Sequence, residues 1–339
     1  MRDPIIIGGT RIAPGTQRMV ELRMPRLNSH TQMTLPVHVF HGRRDGPALF
    51  VSAALHGDEL NGIEVVRRLL EVKGLKRLAG TLLLVPVVNV YGLIHHSRYL
   101  PDRRDLNRSF PGSETGSLAG RLAHLFLTEV VAHCGYGIDL HTGAVHRANL
   151  AQVRANLEDA ETLRLSRAFG VPVLLNSAER DGSLRQAAVD MGARVMIYEV
   201  GEALRYDDLG IRAGVRGVLN VMRALGMLPA RVRGPKPRDA GVVRSSRWVR
   251  APESGMFRAL VALGAQVERG QLLGYVGDPY SGVSIPVTAD ANGLVIGRSQ
   301  IPVVHEGEAI YHIARFKGDI DGVVEQVEAF HEDFAAIAR

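Results

Sequence analysis

Four short strings hold the side chains whose types and spacing can do chemistry. The first is Leu55-His56-Gly57-Asp58-Glu59-Leu60-Asn61-Gly62. His56 and Glu59 stand at i and i+3, so on a helical turn they share one face. Imidazole and carboxylate are ordinary zinc ligands, and a catalytic zinc takes three protein ligands and leaves one position to water. Taken alone, the string also reads as a solvated loop whose His and Glu cap the following helix.

The second string is Gly137-Ile138-Asp139-Leu140-His141-Thr142-Gly143. His141 ends a short apolar strand and can supply the third ligand. Asp139 points to the same side by strand alternation. It can accept the free ring N–H of His141, as carboxylates behind metal-bound histidines do; a plain His–Asp hydrogen bond is the alternative. The third string runs from Arg98 to Gly112 and is dense in arginine. A guanidinium matches a carboxylate in shape, so Asn107 beside Arg108 suits the carboxylate of an amino-acid-like substrate, whereas Arg103 and Arg104 read as surface. In the fourth, Tyr198-Glu199-Val200-Gly201, a carboxylate ends an apolar strand, which is costly without a task or a partner. Glu199 is the candidate general base.

In order and spacing, His56-Gly57-Asp58-Glu59, Asp105-Leu106-Asn107-Arg108-Ser109-Phe110-Pro111-Gly112, Asp139-Leu140-His141-Thr142-Gly143 and Tyr198-Glu199-Val200-Gly201 resemble the succinylglutamate desuccinylase/aspartoacylase family, a branch of the zinc carboxypeptidase-like hydrolases. The resemblance covers roughly residues 45–225. It implies one Zn(2+) per chain on His56, Glu59 and His141, with Glu199 as base and acid. It implies Asn107 and Arg108 as substrate carboxylate contacts, Arg108 also polarising the scissile carbonyl, and Arg98 as the family's upstream arginine. The expected activity is hydrolysis of the amide bond of a small N-acyl amino acid or related N-acylated amine. A metallocarboxypeptidase trimming peptide C-termini is the second reading, and a binding protein that keeps the fold without the chemistry is the third.

The elements that must position these residues follow from the hydrophobic pattern. Residues 1–44 alternate as antiparallel strands do. The run Ala48–Ala54 is almost wholly apolar, as in a strand buried on both faces. Helices are predicted at Asn61–Val72, Ser117–Val131, Asp159–Phe169, Leu184–Met191 and Ile211–Leu225. Strands are predicted at Thr81–Val88, Tyr136–Leu140, Val171–Leu175 and Arg194–Val200, with a polar stretch after Leu140. This alternation argues for an α/β fold: a mixed, largely parallel sheet flanked by helices over residues 1–228.

A Pro- and Arg-rich linker at 229–241 leads into residues 242–318, where short apolar pieces are punctuated by glycine. That part resembles a barrel-sandwich hybrid of the biotinyl/lipoyl kind. No lysine lies between Lys236 and Lys317, so it cannot be a swinging carrier arm, and the resemblance implies that it shapes or shields the entrance to the site. A C-terminal helix is expected within 319–339.

Composition narrows the rest. The chain has 339 residues, 46% hydrophobic and 22% charged, too long for one domain of about 100–200 residues. Cys134 is the single cysteine, which excludes an intrachain disulfide and a Cys-based zinc finger. The net charge is +6, but the basic residues are scattered among acidic ones, so no nucleic-acid partner is expected. No apolar run approaches the ~20 residues of a membrane span. The expectation is a soluble cytoplasmic protein with a small-molecule substrate and no membrane partner; a homo-oligomer is compatible with the sequence. No P-loop or G-x-S-x-G string is present.

Overall fold

The computed structural model describes residues 2–230, 240–316 and 320–335. A ribbon of β1 (Ile5–Ile7) and β2 (Thr10–Ile12) precedes β3 (Thr16–Arg23) and β4 (Thr34–His41). Strands and helices then alternate: β5 (Arg44–Ala53), α1 (Asn61–Leu70), β6 (Ala79–Val85), α2 (Val90–Ile94), α3 (Leu118–Glu129), β7 (Tyr136–Gly143), β8 (Arg147–Ala155), α4 (Ala160–Phe169), β9 (Val173–Asn176), α5 (Leu184–Asp190), β10 (Arg194–Glu202) and α6 (Asp208–Ala224). The second part holds β11 (Gly241–Arg250), β12 (Gly255–Ala259), β13 (Gln266–Val267), β14 (Leu272–Gly277), β15 (Ser284–Thr288), β16 (Gly293–Ser299), β17 (Val303–Val304), β18 (Ala309–Phe316) and α7 (Asp321–Ala335).

The first part is a three-layer α/β sandwich, and alternation along its strands shows why. On β6, Leu82 and Leu84 join one core with Val65, Leu69, Leu165 and Val221 of the helices α1, α4 and α6. Leu83 and Val85 join the other, with Leu122 and Phe126 of α3 and Ala188 of α5. A strand buried on both faces has no polar side to mark it, which is why β5 and β6 read as continuous apolar runs. Capping residues set the helix starts: Ser117, Asp159, Ser183 and Asp207 each accept a backbone N–H in the first turn.

The sheet is mixed rather than largely parallel. Strands β10, β7, β5 and β6 are mutually parallel at its centre. β4 and β3 continue antiparallel on one side, and β8 antiparallel on the other. β8 occupies most of the stretch read as polar after Leu140, and it forms the antiparallel neighbour of β10.

The second part does not hang from a tether. Residues 241–243 of β11 pair parallel with 173–175 of β9, and Gly297–Ser299 of β16 pair antiparallel with Arg147–Asn149 of β8. With β18 between β11 and β16, the strands β8-β9-β11-β18-β16 close on themselves as a small barrel shared by both parts. Leu150, Val173, Val243, Ile296 and Ala314 meet in one apolar cluster across this junction. A four-stranded sheet, β15-β14-β12-β17, completes the β-rich part. Positions 231–239 of the expected linker lie outside the described residues.

Candidate metal centre and active-site cleft

The site is built where the parallel strands end. After β5 the chain turns at Ala54, whose backbone is left-handed (φ 48°), a conformation costly for a residue with a Cβ and concentrated at functional sites. It then makes a tight turn in which the Glu59 N–H donates to the His56 carbonyl at 3.2 Å. Both side chains therefore project to one side. Gly57 sits so close to α2 that a Cβ would stand 2.0 Å from the Gly92 carbonyl carbon, so only glycine fits. β7 lies beside β5 in parallel, with Leu140 opposite Ala53, and the next residue, His141, emerges against the same turn.

Three buried side chains converge there. The Glu59 carboxylate lies between two imidazoles, with Oε1 2.6 Å from His56 Nδ1 and Oε2 2.8 Å from His141 Nδ1. The Thr142 backbone N–H donates to the same Oε2 at 2.9 Å. One ligand-competent atom from each of the three lies within 4.8 Å of the others. The remaining imidazole nitrogens face carboxylates: His141 Nε2 is 2.7 Å from Asp139 Oδ2, and His56 Nε2 is 3.3 Å from Asp105 Oδ1. Asp139 is itself held by a hydrogen bond from the Ser52 hydroxyl, and Asp105 by the Arg98 guanidinium, at 2.7 and 2.9 Å. Two imidazoles and a carboxylate suit zinc as a donor set, and rings backed by carboxylates are typical of such ligands.

The electrostatics agree with a cation-binding cluster. Burial alone would raise the Glu59 carboxyl, but the imidazoles of His56 and His141 outweigh it and hold the group well below the ordinary carboxylate range. Burial would likewise lower His141, yet Asp139 and Glu59 outweigh it and keep the ring protonated far above the usual histidine range. The cluster gathers positive charge around fixed carboxylates.

A cleft of 340 Å³ opens over the cluster. His56, Glu59, Arg98, Asn107, Arg108, His141 and Glu199 all line it. Asn107 Oδ1 accepts the backbone N–H of Leu184 at 2.9 Å, which ties this segment to α5 and leaves the side-chain NH₂ without a partner among the described residues. Arg98 is shared between Asp105 and, at 3.5 Å, Glu59. Glu199 stands beside His141 in the register of β10 and β7. Its Oε2 accepts from Asn149 Nδ2 at 2.7 Å and pairs with Arg154 Nη2 at 3.2 Å.

Several lining residues escaped the sequence reading. Asn149, Arg154, Arg185 and Trp248 have no motif of their own; the polar stretch after Leu140 was the only hint, and it covers just the first two. Arg185 is 5% exposed and donates to Ser177 Oγ at 2.9 Å and to the Ala178 carbonyl, while its Nη1 has no hydrogen-bond partner among the described residues. His95 and His96 are exposed and outside the cleft. Cys134 is buried, and burial pushes its thiol well above the ordinary range.

A mixed α/β sheet carrying a buried His–Glu–His cluster at the carboxyl ends of its parallel strands, under an arginine-lined cleft, defines an α/β protein fitted for a metal ion. Residues 45–225 match the model of the succinylglutamate desuccinylase/aspartoacylase catalytic domain, and the chain belongs to that family. It is 27% identical over 309 residues to an N-alpha-acetyl-L-2,4-diaminobutyric acid deacetylase of Halomonas elongata, covering 86% of this chain and 90% of that one. Its fold is that of a succinylglutamate desuccinylase/aspartoacylase from Rhodobacter sphaeroides (TM-score 0.80, 23% identity, 93% of this chain and 97% of the other). The product-bound ectoine utilization protein of Ruegeria pomeroyi matches as well (TM-score 0.80, 23% identity, 93% and 96%). No helix among the described residues is long and apolar enough to cross a membrane.

Proposed function

We propose that the protein is a zinc-dependent deacylase that hydrolyses the amide bond of a small N-acyl amino acid, or a related N-acylated amine, to a carboxylate and an amine. The observation that carries this reading is the convergence of His56, Glu59 and His141 in one cleft with Glu199, Asn107 and Arg108. Family membership and the named activity of the Halomonas relative support it.

In this reading His56 Nδ1, Glu59 and His141 Nδ1 hold the ion, one per chain, while Asp139 and Asp105 fix the two rings. When bound, zinc supplies a Lewis acid and brings the pKa of a water from ~15.7 towards ~7. Glu199 takes the proton of the attacking water and returns it to the departing amine as the C–N bond breaks. Asn149 and Arg154 occupy its Oε2, which leaves Oε1 for that proton.

Asn107, through its side-chain NH₂, and Arg108 hold the substrate carboxylate; Arg108 also polarises the scissile carbonyl, and Arg98 stands as a further contact. Arg108, Arg147, Arg180 and Arg185 line the cleft without any ion pair to a carboxylate among the described residues. That excess of unpaired positive charge favours an anionic substrate. We read residues 1–228 as the hydrolase unit and 242–318 as the unit that covers its cleft.

Purified Glu199→Gln protein should retain zinc by elemental analysis while its kcat falls by ~10²–10⁴. His56→Ala protein should lose the metal. Turnover of N-acetyl, N-succinyl and N-formyl amino acids, set beside a C-terminally extended peptide, separates deacylation from carboxypeptidase action. Undiminished turnover by the Glu199→Gln protein would refute the assigned base.

A further inference from the structure

Trp248, the only tryptophan of the chain, reaches the cleft from β11, in the β-rich part. Its ring is packed against two side chains. His312 of β18 stacks on one at 4.2 Å between centroids with the planes 8° apart. Arg147, at the start of β8, lies over the ring at 5.2 Å. Burial, then the charge of Arg154, pushes His312 down to about 3, so the stacked imidazole is neutral and adds no cation beside Arg147 and Arg154. The far end of the indole reaches within 3.7 Å of where a Cβ on Gly297 would stand. Stacked on one ring and covered by a guanidinium, this large side chain is held in the cleft wall.

Trp248 and the carboxylate contacts come to the cleft from different elements. Asn107 and Arg108 belong to the α5 side, where Asn107 is tied to Leu184. Trp248 lies beside Arg147, which follows His141 across the turn between β7 and β8. An N-acyl amino acid with its carboxylate at Arg108 and its carbonyl at the His–Glu–His cluster must direct its acyl chain away from Arg108. Among the lining residues only Ile197 and Trp248 are large and apolar, which suits a short hydrocarbon group beside them.

We infer that Trp248 is the specificity-determining residue for the acyl group, a rigid wall lent by the β-rich part that admits a short acyl chain and excludes a long one. The inference rests on the deacylase reading above.

The test compares kcat/KM for the N-acetyl, N-butanoyl and N-hexanoyl derivatives of one amino acid. In the Trp248→Ala protein the hexanoyl-to-acetyl ratio should rise by ~10-fold or more, the scale on which a pocket discriminates methylenes; the Trp248→Phe protein should keep the wild-type ratio. A folded Trp248→Ala protein with an unchanged ratio overturns the inference. Should that variant fail to fold, the single tryptophan serves as its own reporter in Glu199→Gln protein supplied with zinc. Its emission should respond to the N-acetyl amino acid and not to the free amino acid; an equal response to both, or none, overturns the wall. If the wild-type protein hydrolyses none of the three derivatives, the deacylase reading fails first and this inference goes with it, an outcome distinct from turnover with an unmoved ratio.

Discussion

The ring of His141 meets a carboxylate at each nitrogen, Glu59 at one and Asp139 at the other. A carboxylate behind a ligating imidazole fixes its tautomer and raises its basicity. Asp139→Asn should therefore weaken zinc affinity by ~10–100-fold, measured by competition with a chelator; unchanged affinity would remove Asp139 from that role. The residues meeting in the cleft were legible because their strings carry type and spacing together. Asp105 was visible in its string but not as the partner of His56, since 49 residues separate them. Asn149 and Arg154 were invisible as partners of Glu199, because strand pairing rather than sequence proximity joins them.

Elements succeed or fail by their faces. Runs such as Ala48–Ala53 were readable because burial on both sides leaves no polar residue to interrupt them. β8 was not, because its cleft-facing residues are polar: Arg147, Asn149 and Arg154 line the cleft, and Arg154 faces Glu199. Backbone approach is equally local. Gly57→Ala would press a methyl group into α2, so about 1–3 kcal/mol of stability should be lost, as in overpacked cores. Zinc binding should weaken with it, since His56 is the preceding residue; calorimetry and metal titration read the two effects.

β18 carries a pH dependence of its own. His312 sits near 3 in the folded protein against ~6.5 for an unstructured chain. The unfolded chain therefore takes up the proton first. The stability this residue contributes is present above pH ~6.5 and drains away as pH falls towards 3, by up to ~1.4 kcal/mol per unit. Denaturant melts at pH 7 and 5 should show a smaller difference in His312→Phe protein than in the wild type. An identical difference would mean that the ring is not held neutral.

At the scale of the whole molecule, the closed circuit β8-β9-β11-β18-β16 makes the two parts one folding problem. A protein ending at residue 228 would expose the edges of β8 and β9 and half of a shared apolar cluster, an arrangement prone to aggregation. We expect the full chain to melt in a single transition and the 1–228 protein to be insoluble or to lack cooperative unfolding. A soluble, cooperatively folded and zinc-binding 1–228 protein would show the junction to be dispensable.

What the amino-acid sequence determined alone was local: the types and spacing of the candidate ligands, the apolar runs of the buried strands, and the change of texture near residue 241. Tertiary structure decided everything that depends on pairing across distance. It made the sheet mixed, joined the two parts by main-chain hydrogen bonds, and brought Trp248 to a cleft whose nearest sequence motif ends some 47 residues before it. The physical reason is that periodicity records which face of an element is buried, whereas nothing in a single chain's pattern records which neighbour covers it.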